Sequence, residues 1–150
     1  MARRAAAGAG PTREFLAFAL GADLYALELK RIREIVGPPP ITPVPRAPAG
    51  VIGVCSVRGL LVTVLDLRRR LRLLEQPVSR RSRILLVNAA AGETVGLLVD
   101  EVRQVIRLAE SEIEMAASAF GAEMSEQVAG VGRPDGAFVV LLDLDAVVGR

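Results

Sequence analysis

Histidine is absent from all 150 residues. That removes the commonest general base near neutral pH and the commonest metal ligand, and it excludes Ser/His/Asp and Cys/His catalysis outright. There is one cysteine, Cys55, so no internal disulfide can form, which fits a reducing cytoplasm. Lying in an apolar stretch, it reads as a small buried hydrophobe. Tryptophan is missing and the aromatics are few: Phe15, Phe18, Tyr25, Phe120 and Phe138. Nucleic-acid-binding barrels stack bases on aromatics. With 18 of 19 basic residues being Arg and so few aromatic rings, a nucleic-acid partner is not expected. Long apolar runs are lacking too. The longest charge-free stretches, Ile35 to Pro45 and Ala47 to Val57, are 11 residues each, against the roughly 18 needed to cross a bilayer, so no direct membrane insertion is expected. Residues 1–12 begin with arginines but contain no apolar core of a secretory signal, and read as a flexible tail.

Nucleotide motifs are absent as well. Gly50-Val-Ile-Gly53 and Gly130-Val-Gly132 open β-hairpins rather than helices, so neither is a dinucleotide fingerprint, and there is no Walker sequence. Asp66 and Asp143 are the obvious candidates for a carboxylate pair. Each follows a Val/Leu strand at an equivalent place in a repeat, which reads as helix capping. No catalytic residue, metal or cofactor is therefore expected.

What the chain does contain is an internal repeat. Leu24 to Val36 lies over Thr94 to Ile106 without a gap, and Phe15-Leu-Ala-Phe18 over Leu85-Leu-Val-Asn88, an offset of 70 residues. Ala49-Gly-Val51 recurs as Ala129-Gly-Val131, and each copy closes on a Val/Leu strand followed by Asp-Leu. Two copies are too few for a solenoid, so the pattern predicts two similar, mainly β units packed together. The spacing predicts a hairpin over 14–29, a helical turn or bent strand over 30–36, a stiff proline connection, and strands 51–57 and 60–65. A short helix is expected over 67–73, then strands 83–89, 94–99, 102–108, 128–132 and 137–142. Ser111 to Met124 fits a short helix or ordered loop.

Charge is segregated. Asp66 to Arg83 holds seven Arg against two acids, and Glu110 to Glu126 five Glu and no base; such patches are solvated faces or orient a partner. Protein binding is what remains by elimination. Glu34, beside the proline connection, and Arg58, at the tip of a hairpin with Gly59, are polar groups in apolar sequence. They could pair across a groove, offering Arg58 for a bidentate contact, or form an ordinary surface salt bridge.

These blocks, taken together, resemble the CheW family of chemotaxis coupling proteins. The resemblance rests on Glu34-Ile35, the proline linker, the run from Gly50 through Arg58-Gly59 to Asp66-Leu67, and Val95 to Val105, and it covers about residues 13 to 149. Ser56-Val57 stands where the family usually has Asn-Leu, and Thr63 where it often has Pro. The resemblance implies a single domain over 13–150 of two SH3-like five-stranded β-barrel subdomains, about 13–75 and 82–150, sharing a hydrophobic seam. It also implies a cytoplasmic, non-enzymatic adaptor, recruited to membrane-associated chemoreceptor arrays. Its partners would be the cytoplasmic hairpin tip of chemoreceptors and the regulatory domain of a CheA-type histidine kinase. Glu34 and Arg58 would be the polar pair beside the receptor groove, Ile32, Val102 and Val105 its apolar wall, and Gly53 a point of close approach. Gly59 and Phe120 would touch the kinase or the array. A scaffold of another chemosensory-type pathway, such as one for surface motility, is the alternative.

Overall fold

A computed structural model describes residues 11–90, 92–115 and 126–149. Among the described residues eleven strands form two sheets. In chain order they are β1 (Thr12–Leu20), β2 (Asp23–Glu28), β3 (Ile32–Val36), β4 (Val51–Val57), β5 (Leu60–Asp66), β6 (Arg83–Asn88), β7 (Thr94–Val99), β8 (Glu101–Ala109), β9 (Ile113–Met115), β10 (Val128–Gly132) and β11 (Val139–Leu142). Two short helices, α1 (Leu67–Arg70) and α2 (Leu144–Val148), follow β5 and β11. Sheet 1 has the order β8-β1-β2-β11-β10-β9 and sheet 2 the order β3-β6-β7-β5-β4.

The two copies of the repeat do not each build one sheet. Hairpin β1-β2 of the first copy pairs with β8 and, in parallel, with β11 of the second. Hairpin β6-β7 of the second copy pairs with β3 and, in parallel, with β5 of the first. The contiguous division at about 75–82 is therefore a division of the sequence and not of the sheets. Each barrel-like sheet takes its opening hairpin from the other copy.

This exchange explains why the strands carry almost unbroken apolar runs. Buried side chains fall into three clusters. Phe15, Ala17, Ala26, Ile106, Leu108, Val139 and Leu141 fill the inside of sheet 1, and Cys55, Val62, Val64, Ile84, Leu86 and Leu98 the inside of sheet 2. The largest lies between the sheets, with Leu16, Phe18, Leu20 and Leu27 from one and Leu65, Leu85, Val87, Leu97 and Val99 from the other. Successive residues of a strand point to opposite faces. Ile84 and Leu86 thus enter a barrel while Leu85 and Val87 enter the seam, and both faces must be apolar. Cys55 is one of the barrel residues, and burial pushes its thiol pKa up, away from reactivity.

Local rules account for the connections. Asp66 accepts a hydrogen bond from the Arg68 backbone N–H and Asp143 one from that of Ala146, so both are N-caps. The first helix stops at Arg70, shorter than the sequence suggested. The segment 30–36 combines both expectations: a 3₁₀ turn at Leu29–Arg31, then strand β3. Over 111–124 the expected helix or loop is in part a strand, β9, entered by a 3₁₀ turn at Glu110–Glu112. The remainder, including Phe120, lies outside the described residues. The proline connection is irregular, with turns at 45–46 and 49–50, and pairs with β4 through one bridge, Thr42 with Val54.

Candidate functional site

Arg58 and Gly59 are the two central residues of the β4-β5 turn, at φ 49° and 85°. Positive φ at both positions is the turn that matches the twist of a hairpin, and it projects Arg58 outward. The side chain meets Glu34 on β3 in an exposed ion pair. β3 and β4 are the two edges of sheet 2, so this pair links one edge strand to the hairpin of the other and helps close the barrel. The hydrogen bond from Arg58 holds the Glu34 carboxyl below the usual carboxylate range. Beside the turn, Leu60 and Leu61 are 64% and 75% exposed, an apolar ledge that sequence reasoning passed over.

The apolar candidates sit elsewhere on the same rim. In a regular strand Val102 and Val105 would point to opposite faces. A register shift opposite Ala17/Phe18 leaves Arg103 unpaired, so Val102 lies opposite Phe18 and Val105 opposite Leu16, both seam residues. The irregularity in β3 acts the other way. Ile32 lies opposite Val87 of the seam, whereas Glu34, two residues on, lies opposite Leu86 of the barrel. Ile32 and Val102 both pack on the seam cluster, and Val105 is 49% exposed at its margin. The structure thus joins Glu34 to Arg58 and packs Ile32 of β3 and Val102 of β8 on the seam cluster, with Val105 exposed on the same face of β8 as Val102.

Gly53 does not line this surface. It is buried, and a Cβ on it would stand 2.2 Å from the Thr42 carbonyl oxygen. The close approach it permits is by the chain's own proline segment, which corrects the expectation that a partner comes near it.

Sequence reasoning also missed a buried ionic network. Arg68 on α1 donates from Nε to Asp100 Oδ1 at 2.9 Å and from Nη2 to Asp100 Oδ2, and from Nη1 to the Leu74 carbonyl at 2.7 Å. Asp100 Oδ2 also accepts from the Gly21 N–H at 2.7 Å. Arg68 first, and the Gly21 amide after burial's opposing effect, hold the Asp100 carboxyl below its ordinary range. Asp66 shows the opposite sign, because burial pushes it up. A carboxyl depressed in the folded state contributes stability above its unfolded pKa of about 3.9, lost as pH falls through the folded value. The melting temperature is therefore expected to fall steeply on acidification below about pH 4, and less steeply in Asp100→Asn. Parallel slopes in circular-dichroism melts would remove Asp100 as the source.

Among the described residues no group of three or more Cys, Asp or Glu could hold a metal ion, and no helix is long and apolar enough to cross a membrane. Two barrel-like sheets with a common seam, rimmed by exposed apolar side chains and an arginine at a hairpin tip, define a protein-binding scaffold. The chain belongs to the CheW-like domain family, which matches residues 14–150. It is 32% identical over 139 residues to "Chemotaxis protein CheW" of Rhizobium meliloti (strain 1021), covering 90% of this chain and 86% of that one. To "Chemotaxis protein CheW" of Bacillus subtilis (strain 168) it is 28% identical, covering 91% and 87%. "Protein FrzA" of Myxococcus xanthus is 32% identical over 111 residues, 74% of this chain and 69% of that one. The crystal structure of the scaffolding protein TtCheW from Thermoanaerobacter tengcongensis superimposes with a TM-score of 0.84 at 27% identity, covering 93% of this chain and 94% of that one.

Proposed function

We propose that this chain is a non-enzymatic chemotaxis adaptor that joins the cytoplasmic hairpin tips of chemoreceptors to the regulatory domain of a CheA-type histidine kinase. The observation that carries the reading is the match along nearly the whole chain to relatives named as chemotaxis CheW proteins. A receptor tip is a helical coiled coil, and a helix docks by laying an apolar ridge into an apolar groove. Ile32, Val102 and Val105 along the seam margin offer that surface, with Arg58 and Glu34 at its flank. Gly59 with the exposed Leu60 and Leu61 offers a separate ledge for the kinase. The adaptor works in the cytoplasm at membrane-associated receptor arrays, where weak contacts are multiplied by effective concentration and each interface needs only modest affinity. The likeness to protein FrzA supports a second reading, a scaffold of a different chemosensory-type pathway.

The test is capture of the tagged protein from lysate of its source organism, followed by titration with the receptor recovered. A CheA-type kinase and a receptor retained together would support the coupling role, and their identity would choose between the two pathways. In the titration, Arg58→Ala is expected to leave folding intact and to weaken receptor binding by about 1–3 kcal/mol. Wild-type affinity in a folded variant would remove Arg58 from the receptor site.

A further inference from the structure

Among the described residues the chain passes from one sheet to the other at two places only: through Leu29–Arg31, between β2 and β3, and through Asp100, between β7 and β8. Each crossing is tied to a helix by an arginine–aspartate pair. Asp100 pairs with Arg68 of α1. Arg31 pairs with Asp145 of α2 at 2.8 Å and also donates to the Asn88 carbonyl at 2.9 Å. The partners occupy one helical position, since Arg68 stands two residues after the N-cap Asp66 and Asp145 two after the N-cap Asp143. The helix members thus sit at equivalent positions of the repeat, while the crossing members, Arg31 and Asp100, stand one residue apart in its alignment, and the pairs are opposite in polarity: acid at the crossing and base on the helix in one, the reverse in the other.

The two are unequal in strength. The Arg31 and Asp145 side chains are 26% and 52% exposed, those of Arg68 and Asp100 only 10% and 32%. A guanidinium so deeply buried must be paired, and its planar fork dictates distance and orientation as well as charge. Arg68 holds α1, the carbonyl of Leu74 and, through Asp100, both the β7-β8 crossing and the Gly21 turn of β1-β2. The Asp100 N–H also donates to the Ala19 carbonyl. β8 starts at the next residue, and its register on β1, including the irregularity that turns Val102 and Val105 to one face, follows from where Asp100 is fixed.

We propose that Arg68 and Asp100 are positioning residues for the receptor site: a clasp that fixes the angle between the sheets and the origin of β8, and so holds Val102 and Val105 in line with Ile32. This rests on the reading of the seam margin as the receptor surface. The experiment uses the full chain and the soluble signalling hairpin of the receptor recovered above. At a temperature where every variant is folded, Asp100→Asn and Arg68→Lys are each expected to bind about tenfold more weakly. Val62→Ala, a barrel substitution remote from the crossing, binds as wild type even where its melting temperature is equally lowered. A second readout needs no receptor. Spin labels replacing the exposed Thr63 and Gln104, one on each sheet, in a Cys55→Ser background, should give a narrow distance distribution that broadens in both clasp variants. Lowered melting temperatures with wild-type affinity and an unchanged distribution would overturn the proposal and leave the pair a source of stability alone. Failure of the wild-type chain to bind any receptor would instead sink the receptor reading, and with it this role, while the spin-label distances would still report whether the clasp sets the sheet angle.

Discussion

Phe18→Ala is expected to destabilise the fold by about 4 kcal/mol, the largest effect of any single truncation in this protein. Phe18 is fully buried in the seam, on β1 between Tyr25 of β2 and Val102 of β8. Its ring lies 6.4 Å from that of Tyr25, nearly parallel. The seam cluster is lined by two sheets and by Leu67, Leu144 and Val147 of the helices. A gap there collapses only if a sheet moves as a whole, so the cavity term adds to the lost transfer energy. Such a cost is a large part of the total stability of a domain this size. Urea unfolding monitored by circular dichroism should show the midpoint falling with an unchanged slope. A cost under about 1.5 kcal/mol would mean that the sheets close over the gap, and that the seam is softer than its burial implies.

Gly53→Ala should cost about 3 kcal/mol by a different route. Its φ of 154° suits glycine, and the new methyl would meet the Thr42 carbonyl oxygen at 2.2 Å, the Thr42 carbonyl carbon at 2.8 Å and Ile41 Cγ2 at 2.9 Å. Two of these are backbone atoms, held by reciprocal hydrogen bonds between Thr42 and Val54 of 2.8 and 2.9 Å. The proline segment must therefore come away from β4. Hydrogen exchange should show the Val54 amide losing protection while amides of β6 and β7 keep theirs. Gly59→Ala is the comparison: nothing lies within 4 Å of its methyl and only the positive φ is strained, so its cost is about 1 kcal/mol. Equal costs at the two positions would refute the steric account.

Much of this architecture is legible in the sequence because its signals are local. The hairpin around Gly21, the Arg58-Gly59 turn and the caps Asp66 and Asp143 are fixed by neighbours within a few residues, and each forms where it was expected. The continuous apolar runs of β6 and β7 announce two buried faces. They do not say which strands cover them, because the parallel pairings of β2 with β11 and β5 with β7 join residues some 30 to 115 apart. The candidate site is legible only in part for a related reason. Ile32, Glu34, Val102 and Val105 are spaced as a strand spaces its faces, yet single-residue irregularities in β3 and β8 reassign those faces, and periodicity cannot reveal an irregularity. Arg68 and Asp100 were hidden as two charges in a chain with many, 32 residues apart and of unlike type to their counterparts in the other copy.

The exchange of opening hairpins has a consequence for how the protein comes into being. As the chain leaves the ribosome, β1 and β2 emerge first, but the strands beside them are β8 and β11. Phe15 and Phe18 must wait, shielded by little more than their own hairpin, while sheet 2 completes itself at Val99. One copy of the repeat alone would hold an opening hairpin without the strands that flank it, and later strands without the opening hairpin that completes their sheet. Two such units could satisfy each other only by trading arms. The connection over 71–82 keeps the two copies in one chain, so this exchange of arms is an event within one molecule rather than a meeting between two.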